Sequence, residues 1–210
     1  MANSGQAAVV VALALPERTG GERAIGAVLN SVLGGGYSSR VNQEIRIKRG
    51  LSYGASSGLE ARREAAFFRV GVQTKNESAA EVVRLVQEEI DRLMNEPVGN
   101  DELAARKAAL IGGFSRSVET TAGLAAAIRA LVIAQRPVGE LKSRIEQLDA
   151  VTAQEIQRYA AANLVAARRR VAVAGEARAF APALEQAMPG VVTVGRDALD
   201  LERGDGLARR

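Results

Sequence analysis

The hydrophobic positions along the chain follow two different periods, and each period predicts one kind of element. A β-strand is predicted where apolar and polar residues alternate, or where an apolar run is short and rich in valine. The first such run, bounded by Gly5 and Pro16, is apolar throughout, which predicts a strand that is covered on both faces. The predicted strands span residues 7–15, 52–63, 65–75, 170–175 and 191–194.

The second and third of these strands form a predicted hairpin that turns near residues 62–64. In its second arm Phe68, Val70 and Val72 fall on one face, and the residues between them fall on the other. This period is typical of a strand that is buried on one side.

Apolar residues recur every three or four positions in most of the remaining chain, which predicts helices. Two of these helices begin with capping boxes at Ser78 and Thr152, each followed by a glutamate three residues later. Asn100 is predicted to cap a long helical region that a weak point near 112–113 and 120–121 divides in two. The predicted helices span residues 20–35, 40–48, 78–96, 100–135, 139–149, 152–164 and 176–188.

The order of these elements predicts an α+β fold, because strands cluster early, helices fill the middle and strands return at the end. We expect a two-layer sandwich in which a mostly antiparallel sheet is covered on one face by helices. Without an internal repeat or linker, residues 1–196 are predicted to form one domain, followed by a polar tail at 197–210. A chain that opens on a central strand is typical of a domain from a longer polypeptide.

The amino-acid composition and charge of the chain limit the kinds of partner that it is expected to bind. The chain of 210 residues is 47% hydrophobic but only 3% aromatic, and its net charge of +4 comes from interleaved basic and acidic residues. Nucleic-acid binders more often carry a stripe of one charge with stacking aromatics, so we predict no nucleic-acid partner. No apolar run approaches the roughly 20 residues that span a bilayer, so we expect a soluble protein. The absence of cysteine does not distinguish a cytoplasmic from a periplasmic location.

The sequence contains no histidine and no cysteine, which limits the chemistry of the chain by itself. Ser-His-Asp and Cys-His catalysis are excluded, and a conventional zinc site cannot be built. The glycines at 34–36 follow a predicted helix and lack the other residues of a phosphate-binding loop. We therefore predict no metal site, no cofactor and no catalytic residue in this chain alone.

The most unusual segment reads Leu-Gly-Gly-Gly-Tyr-Ser-Ser-Arg at 33–40 and ends in Gly-Leu-Ser-Tyr at 50–53. Arg46, near the end of a short helix, and Tyr53, at the start of a strand, are predicted to converge, and both could contact a peptide carbonyl. A structural alternative stays open from the residues alone. Arg46 could stabilise the end of the helix, and Tyr53 could pack under the sheet with its hydroxyl hydrogen-bonded.

This segment resembles the signature of the second domain of pitrilysin-like zinc peptidases, the inverted zincins that include insulin-degrading enzymes and mitochondrial processing peptidases. The shared pattern is Leu-Gly-Gly-Gly, one residue and Ser-Ser-Arg, followed downstream by Arg, three residues, Gly-Leu, a small residue and Tyr. Val41 stands where that family usually has leucine. The similarity in the order of elements covers about residues 6–176.

The resemblance implies a divided active site. In that family the zinc-binding His-x-x-Glu-His helix lies in another domain, so zinc is expected in a partner domain or subunit and this chain alone is expected to be inactive. Arg46 and Tyr53 are implied to bind the peptide substrate and to stabilise its developing oxyanion. Peptide binding by strand addition at an exposed sheet edge is also implied. Whether the parent protein forms a dimer stays open.

Two other hypotheses are kept beside this one. A scaffold of the same fold would have no role in proteolysis, as in relatives that belong to respiratory complexes, and the presence of both Arg46 and Tyr53 argues against it. An unrelated α+β interaction module would require the motif match to be accidental.

Overall fold

Four strands form a single antiparallel sheet in the computed structural model, which describes residues 4–16, 20–61, 66–199 and 202. The strand order is β2-β3-β1-β4, and β1 pairs along its whole length with β3 and through residues 8–12 with β4. This confirms the predicted antiparallel sheet. The strands are β1 (Ala7–Leu15), β2 (Ala55–Ala61), β3 (Ala66–Thr74) and β4 (Arg170–Ala174).

Two of the strand predictions differ in their outcome from the rest. The hairpin turn expected near 62–64 lies outside the described residues, as do 200–201 and 203–210 of the expected tail. The strand expected at 191–194 is wrong, because these residues take no part in the described sheet and Val192 is 81% exposed. The backbone N–H groups of Gly190 and Val191 donate instead to the Glu185 carboxylate, at 2.9 and 2.7 Å.

Helices fill most of the remaining described chain. One π-helical segment, Gln43–Ile47, continues directly from the second helix. None of the described helices is both long and apolar enough to cross a membrane. The helices are α1 (Gly20–Leu33), α2 (Arg40–Asn42), α3 (Ala79–Asn95), α4 (Asn100–Val118), α5 (Thr121–Ile133), α6 (Glu140–Asp149), α7 (Ala153–Asn163) and α8 (Ala177–Ala187).

The core lies between one face of the sheet and the helices. Alternate residues of β1 and β3 are buried, among them Val11, Leu13 and Phe68, and α1 and α3 pack against this face. The expected two-layer α+β arrangement is therefore confirmed. The expectation that β1 is covered on both faces is wrong, because Ala8 and Ala14 on its other face are exposed. Small alanine side chains on the exposed face gave this strand an apolar sequence throughout.

Of the two predicted capping boxes, one is confirmed. Thr152 Oγ1 accepts from the backbone N–H of Glu155 at 3.3 Å, and the Glu155 carboxylate accepts from the backbone N–H of Thr152 at 2.8 Å. Ser78 has helical backbone angles as the last residue of a 3₁₀ turn, and within the described part of the chain its side chain caps nothing. The capping box predicted there is wrong because a cap needs extended backbone.

The long helical region is divided in two, as predicted, but the residues that begin and divide it are not all the predicted ones. Asn100 is the first residue of α4 and Gly99 occupies the capping position, so the predicted Asn100 cap is wrong. The break falls at residues 119–120, where Thr120 Oγ1 accepts from the backbone N–H of Gly123 at 3.1 Å and so begins α5. The glycines at 112–113 lie inside α4 without interrupting it.

Close packing against the backbone leaves no room for a side chain at two glycines of the 34–36 run, Gly34 against Ser57 and Gly35 against Ser31. The Gly34 carbonyl accepts from the backbone N–H of Ser57 at 3.0 Å, and a Cβ on Gly34 would lie 2.4 Å from that nitrogen. A Cβ on Gly36 would meet no described atom within 4 Å. Strand β2 therefore lies directly against the turn that follows α1.

This difference predicts unequal effects of two alanine substitutions. Gly34→Ala should lower the free energy of unfolding by about 1–3 kcal/mol, because the new methyl group overlaps the backbone of Ser57. Gly36→Ala is the matched control and should change it by less than about 0.5 kcal/mol. Urea unfolding followed by circular dichroism measures both values. Equal losses in the two variants would show that contact with β2 is not the cause.

A buried carboxylate on α3 is expected to make the stability of the domain depend on pH. Glu89 is 7% exposed, its Oε2 has no hydrogen-bond partner among the described residues, and Arg92 lies 3.8 Å away. Burial raises the pKa of Glu89, and Arg92 offsets part of this effect. A raised pKa in the folded state means that Glu89 stabilises the fold below the ordinary carboxyl pKa, and that this contribution is lost as pH rises through the raised value.

Glu89→Gln should therefore be more stable than the wild type at about pH 7.5, and the difference should shrink at about pH 4. Glutamine keeps the shape of the side chain but carries no charge to bury. Urea unfolding at the two pH values measures the effect, and Glu88→Gln, one residue earlier and exposed, is the control. A stability difference that does not change with pH would contradict the assignment to Glu89.

Candidate functional site

The turn after α1 is tied to its surroundings by the residues of the 33–40 motif. The Asn30 carbonyl accepts from the backbone N–H groups of Gly34 and Gly35 at 2.9 and 2.7 Å, which ends α1. Farther along, the buried Arg40 binds Glu102 of α4 with two hydrogen bonds, of 3.1 and 2.8 Å. The turn is thus held at both ends.

A π-helical turn then positions Arg46. The backbone N–H of Lys48 donates to the carbonyl of Gln43 at 2.9 Å, a spacing of five residues, while Ile45 is fully buried. Gly50 follows with φ +64°, a conformation that favours glycine, and reverses the chain toward β2. Arg46 on one side of this reversal and Tyr53 on the other are therefore brought close in space.

The Arg46 guanidinium lies over two aromatic rings. Its Cζ is 4.9 Å from the centre of the Tyr53 ring and 5.0 Å from the centre of the Tyr37 ring, both within cation–π range. Tyr53 is 91% exposed and Tyr37 is 65% exposed. Arg46 and Tyr53 converge, as predicted, and the contact is between the guanidinium and the face of the Tyr53 ring. The alternative in which Tyr53 packs under the sheet is wrong.

Arg46 differs from its cationic neighbours in having no carboxylate partner among the residues that the structure describes. Arg40 is paired with Glu102, and Lys48 and Arg49 both bind Glu44. The hydrogen bond from Lys48 is the main reason that the pKa of Glu44 is lowered, with Arg49 adding to it. Within the described part of the chain the Arg46 side chain makes neither a hydrogen bond nor an ion pair. Its N–H groups are therefore available to a ligand.

Sequence reasoning missed Tyr37, which fills the unspecified position of the motif. A signal for it exists, because the chain has only three tyrosines and two of them lie on either side of Arg46 in the sequence. The third, Tyr159, is buried in the core. What could not be predicted is the path of the turn, which brings Tyr37 back over the π-helical segment.

The residues present do not fit a catalytic zinc ion. The sequence has no histidine or cysteine, and no group of three or more Asp or Glu in the described part of the chain could hold a metal. What the site offers is hydrogen-bond donation from a cation and two phenols. Such donors suit a carbonyl oxygen, a carboxylate or an oxyanion.

The sheet edge nearest the site is partly closed. In β2 the backbone N–H of Ala55 donates to Asn42 Oδ1 at 3.3 Å, and that of Ser57 donates to Gly34. An added peptide strand could not pair along this first half of β2. The opposite edge is β4, whose sole strand neighbour in the described sheet is β1.

Comparison with known proteins identifies the family. A sequence model described as the peptidase M16 inactive domain matches residues 2–110, just over half of the chain. An uncharacterized zinc protease from Streptomyces coelicolor is 31% identical over 119 residues, covering 57% of this chain and 26% of that protein. An uncharacterized zinc protease from Mycobacterium bovis is 26% identical over 148 residues, covering 70% of this chain and 34% of that protein. The chain thus spans about a third or less of the length of these relatives.

Solved structures show the same fold. The crystal structure of a peptidase M16 inactive domain from Pseudomonas fluorescens matches with a TM-score of 0.75 and 25% identity, over 82% of this chain and 41% of that one. An inactive peptidase domain from Bordetella parapertussis matches with a TM-score of 0.72 and 13% identity, over 81% and 93% of the two chains. With more than half of its length matched by the family's sequence model, this chain belongs to the peptidase M16 inactive-domain family.

Proposed function

We propose that this domain binds a peptide substrate and completes the active site of a His-x-x-Glu-His zinc domain, located in the same protein or in a partner subunit. The observation that carries the proposal is the Arg46 guanidinium, which lies over Tyr37 and Tyr53 and has no anion of its own in the described part of the chain. Family membership and the zinc-protease names of the relatives support it.

In this proposal Arg46 donates hydrogen bonds to the carbonyl oxygen of the scissile peptide bond. As that oxygen gains negative charge, the fixed positive charge stabilises it more strongly than it stabilises the ground state. Removing one such donor from an acyl-transfer site typically costs about 2.7–4 kcal/mol of transition-state stabilisation. The zinc ion of the partner domain supplies the activated water.

Tyr37 and Tyr53 have two roles here. Their rings hold the guanidinium in place by cation–π attraction, at 5.0 and 4.9 Å. Their exposed hydroxyl groups can donate to the peptide backbone, which fixes the substrate beside Arg46. We also propose residues 1–196 as the functional unit, since residues 197–199, which follow it, are exposed and contribute little to the core.

Arg46→Ala should lower kcat of the assembled peptidase by about 10²–10³-fold and leave KM nearly unchanged, because the lost interaction is made in the transition state. The assay uses protein that carries both the zinc domain and this domain. Lys48→Ala, two residues away and exposed, is the control and should retain activity. Full activity of Arg46→Ala would favour the scaffold hypothesis instead.

Substitutions at the tyrosines separate the rings from the hydroxyl groups. Tyr37→Leu should lower kcat about two- to fivefold, because the cation–π contact is lost. Tyr37→Phe keeps the ring and should therefore keep most of the wild-type kcat. Tyr53→Phe keeps the ring and should lower kcat/KM up to about tenfold through loss of one hydrogen bond. Equal activities of Tyr37→Leu and Tyr37→Phe would show that the Tyr37 ring does not position Arg46.

A further inference from the structure

A second polar site lies away from the Arg46 cluster, in a cavity of about 450 Å³ between α1, β2 and the helices α4, α5 and α6. Its apolar wall includes Leu110 and Phe114 of α4 and Leu131 of α5. Its polar rim includes Arg136, Glu140 and Arg144. The volume lies within the range of about 300–1,000 Å³ that is common for small-molecule sites.

The rim has more positive than negative charge. Glu140 accepts from Arg23 Nη2 at 2.9 Å and also from both Nε and Nη2 of Arg136. Hydrogen bonding from Arg136 is the main reason that the pKa of Glu140 is lowered. A single carboxylate is therefore already shared between two guanidinium groups.

Arg144, one turn after Glu140 on α6, is the third guanidinium of the rim. Its side chain is half-buried, and within the described part of the chain it forms no hydrogen bond and no ion pair. Burial lowers the pKa of Arg144, and repulsion by Arg136 adds to this while Glu140 opposes it. A partly desolvated charge without a counter-ion destabilises a fold, so the site is better satisfied when an anion enters.

Asn30 adds a neutral donor to the same cavity. Its Oδ1 accepts from Ser57 Oγ at 2.7 Å, and among the described residues its Nδ2 has no acceptor. The cavity thus presents a guanidinium and an amide N–H₂ beside an apolar wall. This is the combination that a charged head group on a short hydrocarbon chain would match.

We propose that this cavity binds a small anionic amphiphile, with its carboxylate on Arg144 and its hydrocarbon chain against Leu110, Phe114 and Leu131. The ligand class follows from the chemistry of the wall: a carboxylate matches the planar donors of a guanidinium, and an aliphatic chain matches the apolar residues. The inference does not depend on the role of Arg46 in proteolysis.

Calorimetric titration of the 210-residue chain with octanoate tests the proposal, with the neutral octanamide as the matched probe. We expect saturable binding of one octanoate and at least tenfold weaker binding of octanamide, because the charged hydrogen bond is lost. Arg144→Met should weaken octanoate binding at least tenfold, while Arg158→Met, at an exposed position on α7, should leave it unchanged. Absence of octanoate binding, or equal binding by the Arg144→Met variant, would overturn the proposal.

Thermal unfolding gives a second readout, and its first comparison is made without the ligand. Without octanoate, Arg144→Met should raise Tm, because it removes a half-buried charge that has no counter-ion while it keeps an unbranched apolar stem. Saturating octanoate should raise Tm of the wild type and not of the variant. A lower Tm for Arg144→Met in the absence of ligand would show that the charge is already compensated, and the proposal would fail.

Discussion

The contact between Gly34 and Ser57 is the constraint on which the geometry of the Arg46 site depends. Because the Gly34 carbonyl accepts directly from the backbone of β2, the turn that carries Tyr37 is fixed against the strand that follows Tyr53. Any side chain at position 34 would push these two segments apart. The absence of a side chain at position 34 lets the turn contact the strand, which keeps the two rings close to one guanidinium. The same contact, together with the hydrogen bond from Ala55 to Asn42, closes the first half of the β2 edge.

Electrostatic pairing divides the cations of this segment into two groups. Arg40 binds Glu102 and ties the motif to α4, and Glu44 neutralises both Lys48 and Arg49. The exposed Lys48 and Arg49 contribute little to stability through their pairs with Glu44, so the main effect of these two pairs is to neutralise positive charge close to Arg46. Among the described residues Arg46 has no such partner, and two aromatic rings lie against its charge without occupying its N–H groups.

The fold was predicted well from the sequence wherever the spacing of apolar residues along an element matches the way in which that element packs in the folded domain. The one-sided pattern of β3 and the Thr152 capping box were found because each depends on residues close in sequence. The Ser78 capping box is absent because the 3₁₀ turn before α3 gives Ser78 helical backbone angles. These angles depend on tertiary structure and could not be predicted from the residue type at position 78. Tyr37 was missed for a similar reason, since a π-helical turn and a tight glycine contact, rather than spacing, bring it to Arg46.

Arg46 and Arg144 both lack an anion in the described part of the chain, and their different surroundings are the reason that we propose different kinds of ligand for them. Arg46 is half-buried, but it lies against two exposed rings whose faces attract its charge, so leaving it without an anion costs little. Arg144 lies in a cavity with an apolar wall, where the same absence of a partner costs more. Under the two proposals, a transient substrate is therefore enough for Arg46, whereas the stability of the fold favours a ligand that stays bound beside Arg144.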